Sequence, residues 1–130
     1  MKKRPAGERK WVIPDCYLPE KSTGGLVSHE STCVLNLGPR PASLVFTAYF
    51  EDRPPVPRLL ARCPSQRTMH VRVDSLRNLK GQSIPKGVPF ALLVESNVPI
   101  VVQHTRLDTT QPALALMTTM AFPVRAAESA

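Results

Sequence analysis

A chain of 130 residues, 42% of them hydrophobic, is the size of one domain built around one core. Its 14 prolines against 6 glycines argue against long helices, and no apolar run reaches the ~20 residues that a bilayer-spanning helix needs. The formal charge of +7 is uneven: residues 1–10 hold five basic side chains against Glu8 alone, and the rest is mildly basic.

That N-terminal arm, residues 1–10, is expected to be disordered, because Met1 to Glu8 offers almost no apolar surface to bury. Its charge suits weak contact with nucleic acid or an anionic membrane surface. No aromatic residues interleave the basic ones and no DNA-binding motif is present, so the plainer reading is a solubilising tail. Trp11-Val12-Ile13 is too short for a signal-peptide core, and Pro14 interrupts it. The expectation is a soluble cytoplasmic protein.

The first strand is expected over residues 10–13, stopped by Pro14, with a polar loop over 20–25. Residues 31–37 form a second strand, ended by Gly38-Pro39-Arg40-Pro41. Within it Cys33 reads as a small buried hydrophobe and Asn36 as a hydrogen-bond partner at the strand end. Residues 43–50 give the longest clear strand. Leu44, Phe46, Ala48 and Phe50 share one face; Val45, Thr47 and Tyr49 share the other. Both faces are largely apolar, so this strand is either central or covered by a neighbouring subunit.

Residues 51–57 make a loop or edge, and a short strand follows over 59–62. Arg67 opens the cleanest alternation: Met69, Val71 and Val73 point one way, Thr68, His70 and Arg72 the other. Asp74 reads as the N-cap of a single helical turn through Leu79. After a loop, residues 90–95 and 98–106 read as successive antiparallel strands joined at Ser96-Asn97. Gln111-Pro112 marks a turn, residues 113–122 form the last strand, and Pro123 ends it before a flexible tail over 124–130. With no internal repeat, the chain reads as all-β: a single small antiparallel β-sandwich of about eight short strands over residues 11–123.

The chemistry is sparse. The three cysteines are odd in number and widely spaced, which argues for a reducing compartment rather than a disulfide framework. His29, His70 and His104, with Glu30 and Asp108, invite a metal reading. No two histidines have a local ligand spacing, so no metal and no cofactor are assigned. Ser28-His29-Glu30 is not read as catalytic, because neighbouring residues on a strand face opposite ways.

The densest signal is Glu95 to Asp108. A β-branched run around Val98 to Val102 ends in Gln103-His104-Thr105-Arg106-Leu107-Asp108. Alternation puts Ile100, Val102, His104 and Arg106 on one face. Buried polar groups there need partners. Arg106 and Asp108 can pair to anchor the strand end, with Glu30 or Glu95 reaching Arg106 through the fold. The set then forms either an internal or intersubunit network, or a recognition pocket in which Arg106 binds an anionic group beside His104 and Gln103. The candidate binding residues are His29, Glu30, Asn36, His70, Arg72, Gln103, His104, Arg106 and Asp108.

The stretch SNVPIVVQHTRLD closely resembles the soluble sensory rhodopsin transducer family. Trp11-Val12-Ile13 with Tyr17-Leu18-Pro19, Ser28-His29-Glu30, Cys33-Val34-Leu35-Asn36, His70-Val71-Arg72 and Ile84-Pro85 match it in order, so the resemblance runs over residues 11–123. The chain departs from the pattern at Cys16, where glycine is expected, in its proline-rich segment from Arg53 to Pro64, and in its basic arm. The resemblance implies a β-sandwich assembled as a homotetramer and no catalytic set. It implies an interaction protein that binds the cytoplasmic face of a membrane photoreceptor. Two other readings stand beside it: a binding module for a carbohydrate or organic acid, and a nucleic-acid-binding transcriptional accessory. An enzyme ranks behind all three.

Overall fold

The computed structural model describes residues 5–125, so Lys2, Lys3 and Arg4 of the basic arm and the tail from residue 126 lie outside the described residues. The chain forms β1 (Glu8–Tyr17), β2 (His29–Asn36), β3 (Ala42–Phe50), β4 (Val56–Cys63), β5 (Arg67–Arg72), β6 (Pro89–Asp108), β7 (Ala115–Met120) and β8 (Phe122–Val124). All pairings are antiparallel. Among the described residues the one helical element is a 3-10 turn at Val73–Ser75. No helix there is long and apolar enough to cross a membrane. The fold is the expected all-β sandwich.

β6 ties the two layers together. Its first half lies between β1 and β3, in a sheet ordered β4-β3-β6-β1-β8. Its second half lies between β2 and β7, with β5 beyond β2. The two expected strands, residues 90–95 and 98–106, are therefore one strand of 20 residues. Ser96-Asn97 is not a turn but the place where β6 changes partners. Ser96 is the last residue opposite β3, and Val101 the first opposite β2. Asn97 Oδ1 accepts the Ser43 amide at 2.7 Å, and Ser96 Oγ accepts the Val98 amide at 3.2 Å. Pro99, which donates nothing to a ladder, sits within this changeover rather than at a strand start.

Apolar side chains from both layers meet in one core. Trp11, Ile13, Leu44, Phe46, Ala48, Leu92 and Val94 face Val34, Val71, Ile100 and Val102. The Trp11 indole N–H is shared between the carbonyls of Glu8, at 3.0 Å, and Ile100, at 3.1 Å. Just before it, Gly7 has φ +114, and a Cβ there would collide with the Ile100 carbonyl. Glycine is therefore required for β1 to start against β6. The strand begins at Glu8, so residues 8–10 belong to the sheet rather than to a disordered arm.

Other expectations need correction. Asp74 is not an N-cap: it lies inside the 3-10 turn, which has no side-chain cap, and its carboxylate takes a bidentate pair from Arg72 at 2.8 and 2.9 Å. Pro123 does not end the last strand. The strand is interrupted at Ala121, and Pro123 sits within β8, opposite Trp11, on a sheet edge where a missing N–H costs nothing. Cys33 is only half-buried; Cys16 and Cys63 are the fully buried thiols. On β3, Leu44, Phe46 and Ala48 are core, while Val45 and Thr47 are half-buried and Tyr49 is exposed.

Candidate functional site

The β2–β6 register sets Glu30 directly opposite Arg106, and Thr32 directly opposite His104. All four side chains lie on the inward face. Glu30 and Thr32 are fully buried and His104 is 4% exposed. Arg106 Nε donates to Glu30 Oε2 at 2.7 Å, and His104 Nε2 meets Glu30 Oε1 at 2.6 Å. Thr32 Oγ1 lies 3.2 Å from His104 Nδ1. The backbone N–H of Tyr17 on β1 adds a second bond to Glu30 Oε2, at 2.7 Å. Arg106 Nη2 reaches the Asp15 carbonyl at 3.3 Å and its carboxylate at 3.8 Å.

Cys16 completes the cluster, and a bulge puts it there. β1 runs Ile13 opposite Leu92 and Cys16 opposite Phe90, so one extra residue is inserted around Pro14-Asp15. Without the insertion, Cys16 would share the face of Val12. With it, Cys16 and Leu18 join Trp11 and Ile13 in facing inward. The thiol lies 3.7 Å from His104 Nε2 and 3.8 Å from the Ile13 carbonyl.

Burial works to raise the Glu30 pKa, but the bonds from His104 and the Tyr17 amide, with the charge of Arg106, outweigh it and hold the carboxyl below its ordinary 4.5. Burial likewise disfavours the Arg106 cation, and the Glu30 carboxylate overcomes it and keeps the guanidinium charged. The Cys16 thiol is pushed far up, first by burial and then by the Glu30 charge. It is therefore a poor nucleophile as it stands. Among the described residues no buried side-chain polar atom lacks a partner.

Three of the nine residues singled out from the sequence thus converge: Glu30, His104 and Arg106. The expected Arg106–Asp108 pair does not form. Asp108 Oδ1 instead accepts from Thr110, amide at 2.8 Å and hydroxyl at 2.6 Å. Asn36 closes the end of β2 by donating to the carbonyls of Arg40, Cys63 and Pro64 and accepting from the Gly38 amide. His29 bonds the Val27 carbonyl at 2.8 Å, and Arg72 is held by Asp74. His70 and Gln103 are exposed. The three histidines do not meet. Cys16, Thr32 and the Tyr17 amide are absent from the sequence-derived set. Thr32 was readable from its alternation with Glu30 on β2, whereas Cys16 required the bulge.

A family model described as Anabaena sensory rhodopsin transducer matches residues 6–123. The chain belongs to this family. A solved structure of the Anabaena sensory rhodopsin transducer is 40% identical, covers 82% of this chain and 94% of its own, and superimposes with a TM-score of 0.71. The crystal structure of Thermotoga maritima 1070 is 39% identical, covers 91% of this chain and 96% of its own, with a TM-score of 0.79. No curated protein sequence matches the chain. The family match spans β1 to β7 and all but the last residue of β8, including the three strands that build the Cys16–Glu30–His104–Arg106 cluster.

Proposed function

We propose that this transducer-family protein is a non-enzymatic cytoplasmic signalling protein that assembles as a homotetramer and binds the cytoplasmic face of a microbial sensory rhodopsin. The observation that supports it most is the 40% identity to a sensory rhodopsin transducer over nearly that protein's full length. The chemistry agrees. The cluster around Glu30 is internally bonded and largely buried, which suits a joint between strands better than a substrate site.

The assembly reading rests on the β7 edge. All six residues of β7 are exposed, and among the described residues β7 pairs with β6 alone. Leu114, Leu116, Met117, Met120 and Phe122 are each more than half exposed. On the outer face of the layer, Leu116 stands opposite Leu107 and Met120 opposite Gln103, with Leu35 opposite Val101 farther along β6. An open strand edge with this much apolar surface is a template for another chain. These exposures favour β7 as the surface offered to a neighbour.

Coexpression with a microbial sensory rhodopsin, purified through a tag on the rhodopsin, tests the partner. Stoichiometric co-purification supports the proposal. Failure to co-purify, with saturable binding of a sugar or organic acid instead, favours the small-molecule reading. Salt-sensitive retention on duplex DNA alone favours the nucleic-acid one.

A further inference from the structure

We propose that Cys16, Glu30 and His104 form a buried binding site for a borderline divalent transition-metal ion, zinc being the best match. The inference is independent of the rhodopsin partner and of the oligomeric state. One ligand atom from each residue lies within 4.8 Å of the others. The three come from β1, β2 and β6, so the ion would bolt three strands together.

The donor set is chemically coherent. A thiolate, an imidazole and a carboxylate are the ligands zinc takes in proteins. In a tetrahedral zinc site the sulfur and nitrogen ligands stand about 3.5 Å apart, given Zn–S of ~2.3 Å and Zn–N of ~2.0 Å. Cys16 Sγ and His104 Nε2 are already 3.7 Å apart. The Glu30–His104 contact of 2.6 Å has to open by about 0.7 Å to admit the ion between them.

The surrounding groups are placed as outer partners of such a site. Glu30 Oε2 is held by Arg106 and the Tyr17 amide, which leaves Oε1 for coordination. Thr32 Oγ1 lies 3.2 Å from His104 Nδ1, where it would accept the Nδ1 proton of the tautomer whose Nε2 lone pair is free for the ion. The proton balance follows. The thiol proton leaves to solvent, and a neutral imidazole shifts its proton from Nε2 to Nδ1. An imidazolium loses a second proton. The thiolate and carboxylate balance a divalent ion, and Asp15 lies against Arg106. A coordinated metal is also what deprotonates a thiol that burial otherwise keeps neutral.

Cobalt(II) is the probe. Full-length protein, reduced and stripped with chelator, is titrated with Co²⁺ and then with Zn²⁺. The expected result is one Co²⁺ per chain, a near-ultraviolet thiolate-to-cobalt absorption band, and loss of that band when zinc displaces cobalt. Cys16→Ser should abolish the band and weaken binding at least ten-fold, while Cys33→Ser should leave both unchanged. Cys16→Ala serves the same purpose if the serine variant does not fold, with thermal unfolding of each variant reporting the fold. Absence of the band at millimolar Co²⁺, or its persistence in a folded Cys16 variant, would overturn the proposal.

Discussion

Glu30 is the residue on which the cluster turns. It is a fully buried carboxylate with three direct partners, Arg106, His104 and the Tyr17 amide, and His104 in turn touches the Cys16 thiol. Removing the cation from such a pair strands the charge that remains. Arg106→Leu should therefore cost about 3 kcal/mol of stability, since the guanidinium is mostly shielded from water. That corresponds to a fall in melting temperature on the order of 10 °C. A second change, Glu30→Gln, removes the orphaned charge and should recover part of the loss, which a double-mutant cycle measures. The pH dependence has a definite sign. The Glu30 carboxyl titrates lower when folded than unfolded, so its contribution is complete above its ordinary 4.5 and disappears as pH falls through the lower folded value. Denaturant melts across that window should show wild-type stability falling more steeply than that of Glu30→Gln.

At the scale of strands, two irregularities decide what faces the core. One is the start of β1, where Gly7 meets the Ile100 carbonyl. Gly7→Ala adds a Cβ where there is no room and where φ is positive, so it should destabilise by about 2 kcal/mol and raise amide exchange at Lys10 and Trp11. Unchanged exchange would show that β1 does not depend on this contact. The other is the Pro14-Asp15 bulge. Period-two alternation correctly put His104 and Arg106 on one face, because β6 is regular from Val101 onward. It placed Leu44, Phe46 and Ala48 in the core for the same reason. It could not place Cys16, because one inserted residue reverses the facing of everything after it. Nor could it show that Ser96-Asn97 continues a strand. Serine and asparagine are turn residues by propensity, and here their side chains bond the changeover of β6 between layers. The Glu30–Arg106 pair was one of several options in the sequence, since 76 residues separate the partners and only the β2–β6 register makes them neighbours.

At the scale of the molecule, the proposed assembly puts the exposed apolar side chains of β7 at the contact between copies. Leu116→Lys with Met120→Lys puts two charges on the outer face of β7 without touching the core. The pair should reduce the assembly to a smaller species in light scattering while leaving the β spectrum intact. Intact assembly in this variant would move the contact away from β7. The most direct test of the proposed role is a binding titration of the wild-type protein against a microbial sensory rhodopsin held in nanodiscs, with empty nanodiscs as the control. Saturable binding to the rhodopsin discs alone is expected, at a stoichiometry set by the protein's own oligomer. Equal retention on empty and rhodopsin-loaded discs, or none on either, would contradict it.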